Sequence, residues 1–234
     1  EDETKWNPSG GPPSPTTSAV AIECPTRRTR GLLFPIEEIR KISALCRTRG
    51  IKFHLDGARI FIAAAAADIE PQEYAQYVDT LYFSICKGLP APGGGVLVGP
   101  KTFIEKGKIY RRMFGGAPMA SHLNAALALS GLHQEAARWK DLINQGRALI
   151  QKLADLDAYE IELTGQESNL IPLAARGGLD LRAIVQPLAD RGISLMRDIP
   201  ESTVTRTFLA WNETLWNQSL DTIVEAFRAA AREV

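Results

Sequence analysis

Residues 51–99 decide the fold: IKFHLD (51–56), GARIFIAAAAAD (57–68), YVDTLYFSIC (77–86), KGLPAPGGG (87–95) and VLVG (96–99). IKFHLD has the length and apolar content of a buried strand, and the Ala-rich stretch over about 58–68 predicts a helix. YVDTLYFSIC reads as a second strand, which enters a Gly/Pro-rich turn before the short apolar run VLVG. Upstream, AVAIEC (19–24) predicts another buried strand. Pro35 sits where a first helical turn tolerates it, Ile36, Ile39, Ile42 and Leu45 follow at helical spacing, and Gly50 supplies a C-terminal stop. Strand, helix, strand, helix, strand in this order favours βαβ crossovers and a parallel sheet covered by helices.

Outward from this core the pattern changes. Residues 1–18, EDETKWNPSGGPPSPTTS, are dense in Pro, Gly, Ser and Thr and read as a linker with Trp6 as its one large apolar anchor. Residues 101–114 predict a helix, and 119–155 one long helix or two in succession. Beyond 156, strands are expected near 158–163, 168–174, 193–197 and 204–210, with helices near 179–191 and 215–233. The expected organisation is a flexible segment over 1–18, a large α/β domain with a mainly parallel sheet over 19–135, and a connecting helix with a smaller α+β domain over 136–234.

Composition narrows the function. The 234 residues carry 27 basic and 27 acidic side chains, so the chain has no general electrostatic grip on nucleic acid or on an acidic membrane surface. The nearest approach to a spanning helix, Ile60 to Ala67, is far shorter than the roughly 18–20 residues required. Cys24, Cys46 and Cys86 are an odd, widely spaced set that matches neither a disulfide framework nor a zinc site, and it fits a reducing cytoplasm. His54, His122 and His133 show no metal-ligand spacing. The acidic start, EDET, is followed by no hydrophobic stretch, so no secretory leader is expected there.

Two residues stand at the C-terminal ends of expected parallel strands, the edge at which open α/β sheets place their ligands. They are Asp56 in HLDGAR and Lys87 in FSICKG, each followed by a glycine that permits a sharp turn or a close approach. A lysine and a carboxylate on neighbouring strand ends suit pyridoxal phosphate chemistry. The lysine amine condenses with the cofactor aldehyde, the aspartate keeps the pyridine nitrogen protonated, and the ring takes up electrons from a substrate carbanion. Taken singly, each residue has an ordinary explanation: Asp56 as a helix cap or an ion-pair partner of Arg59, Lys87 as a solvated side chain. The pair at one sheet edge favours the chemical reading.

FHLDGARIFIAAA, YVDTLYFSICKGLPAPGGGVLVGPKTFI and YRRMFGGA together resemble the threonine aldolase and β-eliminating lyase group of fold-type-I pyridoxal phosphate enzymes. The resemblance runs from about Ala19 to Leu132 and continues more weakly to the C-terminus. It implies a fold-type-I large domain, here incomplete, with a smaller C-terminal domain. It further implies Lys87 as the cofactor lysine and Asp56 as the partner of the pyridine nitrogen. Ala58 would pack against the ring, and Arg59 would lie near the phenolic oxygen and the substrate. ESTVTRTFLAW resembles the segment whose arginine grips the substrate carboxylate, placing Arg206 in that role; a planar guanidinium fork suits it, and a plain surface arginine is the alternative. Asn169 matches an asparagine opening a strand of the small domain, or serves as ordinary turn chemistry.

The departures matter as much. Where the family carries a His-Asn pair, suited to handling the β-hydroxyl proton, this chain has Thr26 and Arg27. GGAPMAS (115–121) replaces a family stretch bearing an arginine, and Trp211 stands where a histidine is common. Arg27, Arg28 and Arg30 form a basic cluster that suits an acidic substrate or a phosphate, or else a solvated loop. Family members carry roughly a hundred further residues before the point matched by Ala19, a length that domain-size priors neither demand nor forbid. That part holds the glycine/serine loop cradling the cofactor phosphate. GGPPS (10–14) is too proline-rich to replace its amides.

The resemblance thus implies a pyridoxal-phosphate-dependent aldehyde lyase of amino acid metabolism, working in threonine catabolism by cleaving a β-hydroxy-α-amino acid to glycine and an aldehyde. A dimer or tetramer is expected. The alternatives are a non-catalytic relative acting as a folded or partner-binding module, and a changed reaction, β-elimination or transamination, on the same cofactor.

Overall fold

The computed structural model describes residues 17–27, 31–132, 135–195 and 205–234. Three short strands run parallel: β1 (Ala19–Glu23), β2 (Lys52–Asp56) and β3 (Thr80–Ser84). Their register aligns Glu23 with Asp56 and Asp56 with Tyr82, so all three end at one sheet edge. Helix α1 (Ile36–Thr48) connects β1 to β2 and buries Ile39, Ser43 and Cys46. Of the expected apolar positions Ile36 and Ile42 are half-buried, and Leu45 is exposed because the buried face runs through Ile39, Ser43 and Cys46 instead. Helix α2 (Ile60–Ala67) and the single turn α3 (Pro71–Ala75) connect β2 to β3.

Helix α2 is apolar on every side and almost wholly buried. It packs on the long helix α6 (Glu135–Ala154), its alanines letting the two helices approach closely, and its Phe61 meets Phe83 of β3 edge to face. Asp68 ends α2 in the left-handed conformation, φ 55°, with its carboxylate 2.8 Å from Lys140 of α6. The α2–α6 packing is continued by Arg147, whose guanidinium donates to the Ala66 carbonyl at 2.9 Å.

The fourth strand, β4 (Gly95–Val98), departs from the parallel expectation by running antiparallel to β3. A parallel return needs a crossover of a dozen or more residues, usually helical. Only residues 85–94 separate β3 from β4, and they contain no helix. The chain therefore doubles back, and Gly95 fits flat on Tyr82, where a β-carbon would lie 2.3 Å from the ring. Helices α4 (Lys101–Met113) and α5 (Ser121–Leu132) follow, so the 119–155 stretch is two helices. β4, α4 and α5 leave Val96, Leu97, Val98, Phe103, Tyr110 and Leu127 exposed, a contiguous stretch of chain rich in uncovered apolar side chains.

The C-terminal part is a three-stranded antiparallel sheet, β5 (Tyr159–Glu160), β6 (Leu170–Ala175) and β7 (Arg206–Ala210), in that spatial order. β5 is shorter than the expected 158–163. Helix α7 (Val185–Asp190) begins six residues later than expected, because the Asp180 carboxylate captures the Arg182 N–H at 2.9 Å and turns the chain first. Residues 193–195 are irregular, and the rest of the expected 193–197 strand lies outside the described residues, as do Trp6, GGPPS and His133. Helix α8 (Leu220–Arg232) is capped by Ser219, whose hydroxyl accepts from the Thr222 N–H, and buries Ile223, Val224, Phe227 and Ala230. The Tyr159 hydroxyl donates to the Phe227 carbonyl at 2.9 Å, and the two rings meet edge to face. Helix α6 packs on both α2 and α8 and so joins the two sheets through one core.

Candidate active site at the sheet edge

The partly buried Asp56 closes β2. Its Oδ1 accepts the Ala58 N–H at 3.0 Å, an Asx-type turn that orients the carboxylate. Its Oδ2 makes no hydrogen bond among the described residues. Gly57 donates to the Tyr82 carbonyl at 2.8 Å, and a β-carbon there would sit a tight 3.1 Å from that same oxygen. Ala58 is buried and accepts from the Ser84 N–H at 3.4 Å, tying the turn to the end of β3.

Arg59 follows as the N-cap residue of α2. Its half-buried guanidinium is held below the usual arginine range first by burial and then by the nearby charge of Arg27, with Glu23, Asp56 and Cys86 opposing. Glu23, Arg27, Asp56, Arg59 and Cys86 thus share one electrostatic neighbourhood at the edge where β1, β2 and β3 end. Arg27 is anchored there by its neighbour: Thr26 donates its N–H to the Leu32 carbonyl and its hydroxyl to the Glu23 carbonyl, at 3.0 and 2.7 Å. Arg28 and Arg30 lie outside the described residues.

Lys87 is exposed, three residues beyond the end of β3 rather than at it. The strand stops because the Ser84 hydroxyl accepts the Cys86 N–H at 3.3 Å and the Ile85 N–H donates to the Gly94 carbonyl at 3.1 Å. These bonds close the neck of an 85–94 loop. Ile85, Leu89 and Ala91 pack beneath it with Ala128 of α5, so Lys87 rises from an anchored base. Two partners invisible to local pattern reading hold the same loop: Trp139 of α6 at Gly88, and Asn124 of α5 at Gly93, where its side-chain amide donates at 2.9 Å. Trp139 is 51 positions from Gly88, and no local motif signals such a bond.

The structure does not bring Arg206 into contact with this group. It opens β7 opposite Ala174, is exposed, and lies 3.8 Å from Glu162. Asn169 donates to the Trp211 carbonyl at 2.7 Å and locks the far end of the β6–β7 pair. Trp211 is buried with its Nε1 lacking a partner among the described residues. The backbone carbonyl of Gly116, in GGAPMAS, accepts from the Arg111 guanidinium at 2.6 Å. Among the described residues no His, Cys, Asp and Glu cluster could hold a metal ion, and no helix is long and apolar enough to cross a membrane.

An aspartate with one oxygen unbonded among the described residues, a turn of Gly57 and Ala58, a half-buried arginine and an exposed lysine on an anchored loop are groups that could hold the ring end of pyridoxal phosphate. Asp56 would meet the pyridine nitrogen, and Lys87 the aldehyde.

Comparison with known proteins shows the family. The β-eliminating lyase family profile matches residues 8–176. The chain is 38% identical over 116 residues to a low-specificity L-threonine aldolase of Candida albicans, covering 50% of this chain and 30% of that one. It is 28% identical over 193 residues to low-specificity L-threonine aldolase 1 of Arabidopsis thaliana, covering 82% and 54%. A solved Listeria monocytogenes structure carrying the name L-allo-threonine aldolase superposes with a TM-score of 0.81 at 21% identity, covering 94% of this chain and 63% of that one. That likeness shows the shared fold. The chain spans about half the length of the curated relatives it matches.

Proposed function

The chain belongs to the β-eliminating lyase family, and from that premise we propose that it acts as a pyridoxal-phosphate-dependent aldehyde lyase of the threonine aldolase type. The reaction would cleave a β-hydroxy-α-amino acid to glycine and an aldehyde. The observation that carries this reading is the placement of Asp56 and the Lys87 loop on adjacent parallel strands, at the edge also occupied by Arg59.

Bound pyridoxal phosphate supplies a sink for the electron pair left on Cα when the Cα–Cβ bond breaks. Asp56 Oδ2 would hold the proton on the pyridine nitrogen, while the Ala58 N–H fixes Oδ1. Lys87 Nζ would be the amine that holds the cofactor aldehyde. Ala58 would pack beside the ring, and Arg59 would lie on the side of its phenolic oxygen and the substrate. Arg206 is assigned to the substrate carboxylate, which requires it to exchange its exposed pairing with Glu162 for that ligand. Thr26, whose hydroxyl is committed to the Glu23 carbonyl, is no base for the β-hydroxyl proton.

Two further readings belong to this proposal. The exposed apolar side chains of β4, α4 and α5 supply a face for a second copy of the chain, supporting a dimer or tetramer. The three free cysteines, with Cys86 exposed, support a cytoplasmic setting.

The test is a titration of the purified chain with pyridoxal phosphate, followed by aldehyde assay over a panel of β-hydroxy amino acids. An absorbance band near the visible edge, lost in Lys87→Ala, and lysine-dependent aldehyde release are expected. A native chain that produces no band overturns the proposal, and release of ammonia or a keto acid in place of aldehyde reassigns the reaction.

A further inference from the structure

Lys87 is exposed, yet the backbone one residue on is held by a residue of the deepest core. Trp139, only 3% exposed, donates its indole N–H to the Gly88 carbonyl at 3.1 Å. Gly88 is in the positive-φ region, φ 140°, and a β-carbon there would stand 3.2 Å from Trp139 Nε1, so the indole lies directly against this glycine. Helix α6, which carries Trp139, is fixed to the rest of the molecule by Leu142, Ile143, Leu149 and the Arg147–Ala66 bond. The loop neck at Ile85 and Gly94 and the Asn124–Gly93 bond fix the other side.

We propose that Trp139 is a positioning residue for Lys87: its indole N–H clamps the Gly88 carbonyl and so fixes the backbone from which the cofactor lysine projects. This rests on the reading of Lys87 as the lysine that holds pyridoxal phosphate. The chemistry makes two opposed demands on that side chain. Its amine must move, to hold the cofactor and then release it, while its backbone must stay, so that the amine returns to the same place. A buried, neutral, directional hydrogen bond at the next residue meets the second demand and leaves the four-carbon stem free for the first.

The experiment removes one hydrogen atom's bond without disturbing shape. Replacing Trp139 by 3-benzothienylalanine puts sulfur where the N–H stood and keeps the bicyclic outline; Trp139→Phe is the genetically encoded companion, and Lys87→Ala the control. Three readouts are taken on the full chain: pyridoxal phosphate affinity from the absorbance band, the pH midpoint of that band, and amide hydrogen exchange of residues 85–94 without cofactor. A net hydrogen bond of about 1 kcal/mol corresponds to about fivefold weaker cofactor binding. The pH midpoint should shift, and exchange of the 85–94 loop should quicken while that of α2 does not. A benzothienyl protein that matches the native chain in affinity, pH midpoint and loop exchange overturns the role of Trp139. If Lys87→Ala retains the native band, the reading of Lys87 falls and the positioning role with it. That result is distinguishable, because it moves the lysine control rather than the tryptophan variant.

Discussion

Gly146 sits inside α6 at the point where Trp211, just beyond β7, crosses it. Replacing it by alanine sets two well-characterised effects against each other. In a helix interior the change from glycine to alanine favours folding by about 1 kcal/mol. Here, however, the added β-carbon would lie 2.1 Å from Trp211 Cε2 and 2.4 Å from both Cζ2 and Nε1. Ordinary contact begins near 3.4 Å, so the indole or the helix must retreat by about 1.3 Å. The indole is rigid and buried between α6 and the small sheet, and cannot swing away as a flexible chain end would. Overpacking of this kind costs about 1–3 kcal/mol, and a displacement this large belongs at the upper end. Gly146→Ala is therefore expected to destabilise the chain by about 2 kcal/mol. In urea, with a slope of about 2 kcal/mol per molar, the unfolding midpoint read by circular dichroism should fall by about 1 M. Trp211→Leu removes all three crowded atoms. In that background the same Gly146→Ala change should reverse sign and stabilise by up to about 1 kcal/mol. A double-mutant cycle reports the difference as a coupling of about 3 kcal/mol. A Gly146→Ala protein with a raised midpoint in the native background would refute the packing argument, and additive single changes would refute the assignment of the clash to Trp211.

Other expectations follow from groups elsewhere in the fold. Asp79 accepts the Phe53 N–H at 2.9 Å and pairs with Lys52 at 3.1 Å, and the backbone bond in particular holds its carboxyl below the usual range. A depressed folded pKa contributes stability that is present above the ordinary carboxylate pKa of about 3.9 and is lost as pH falls through the lower folded value. Asp79→Asn should accordingly flatten the acid limb of a stability–pH curve, and an unaltered limb would count against it. Cys24 is fully buried, with its thiol pushed up by burial, and Cys46 is buried too, whereas Cys86 is exposed. In the native chain a thiol reagent should label one cysteine rapidly and two only on unfolding, as peptide mapping would show. Pyridoxal phosphate should slow labelling of Cys86, the neighbour of Lys87; equal rates with and without cofactor would weigh against the proposed site.

What the amino-acid order determined by itself is local. Apolar runs at 19–24, 51–56 and 77–86, separated by a helical period and an alanine-rich stretch, sufficed for three parallel strands with helices between them. Expected strand ends followed by glycine singled out Asp56 and Lys87 as candidates, because open α/β sheets place their ligands at that edge. Tertiary structure alone decided how those residues are held. β4 turned antiparallel because its connection is too short for a crossover, and Lys87 moved off the strand end because Ser84 and Gly94 close the loop below it. The clamp of Trp139 on Gly88, the crowding of Trp211 on Gly146 and the pairing of Arg206 with Glu162 join residues tens of positions apart. Periodicity carries which face of an element is buried; it carries nothing of which distant side chain a buried carbonyl or an edge guanidinium meets there.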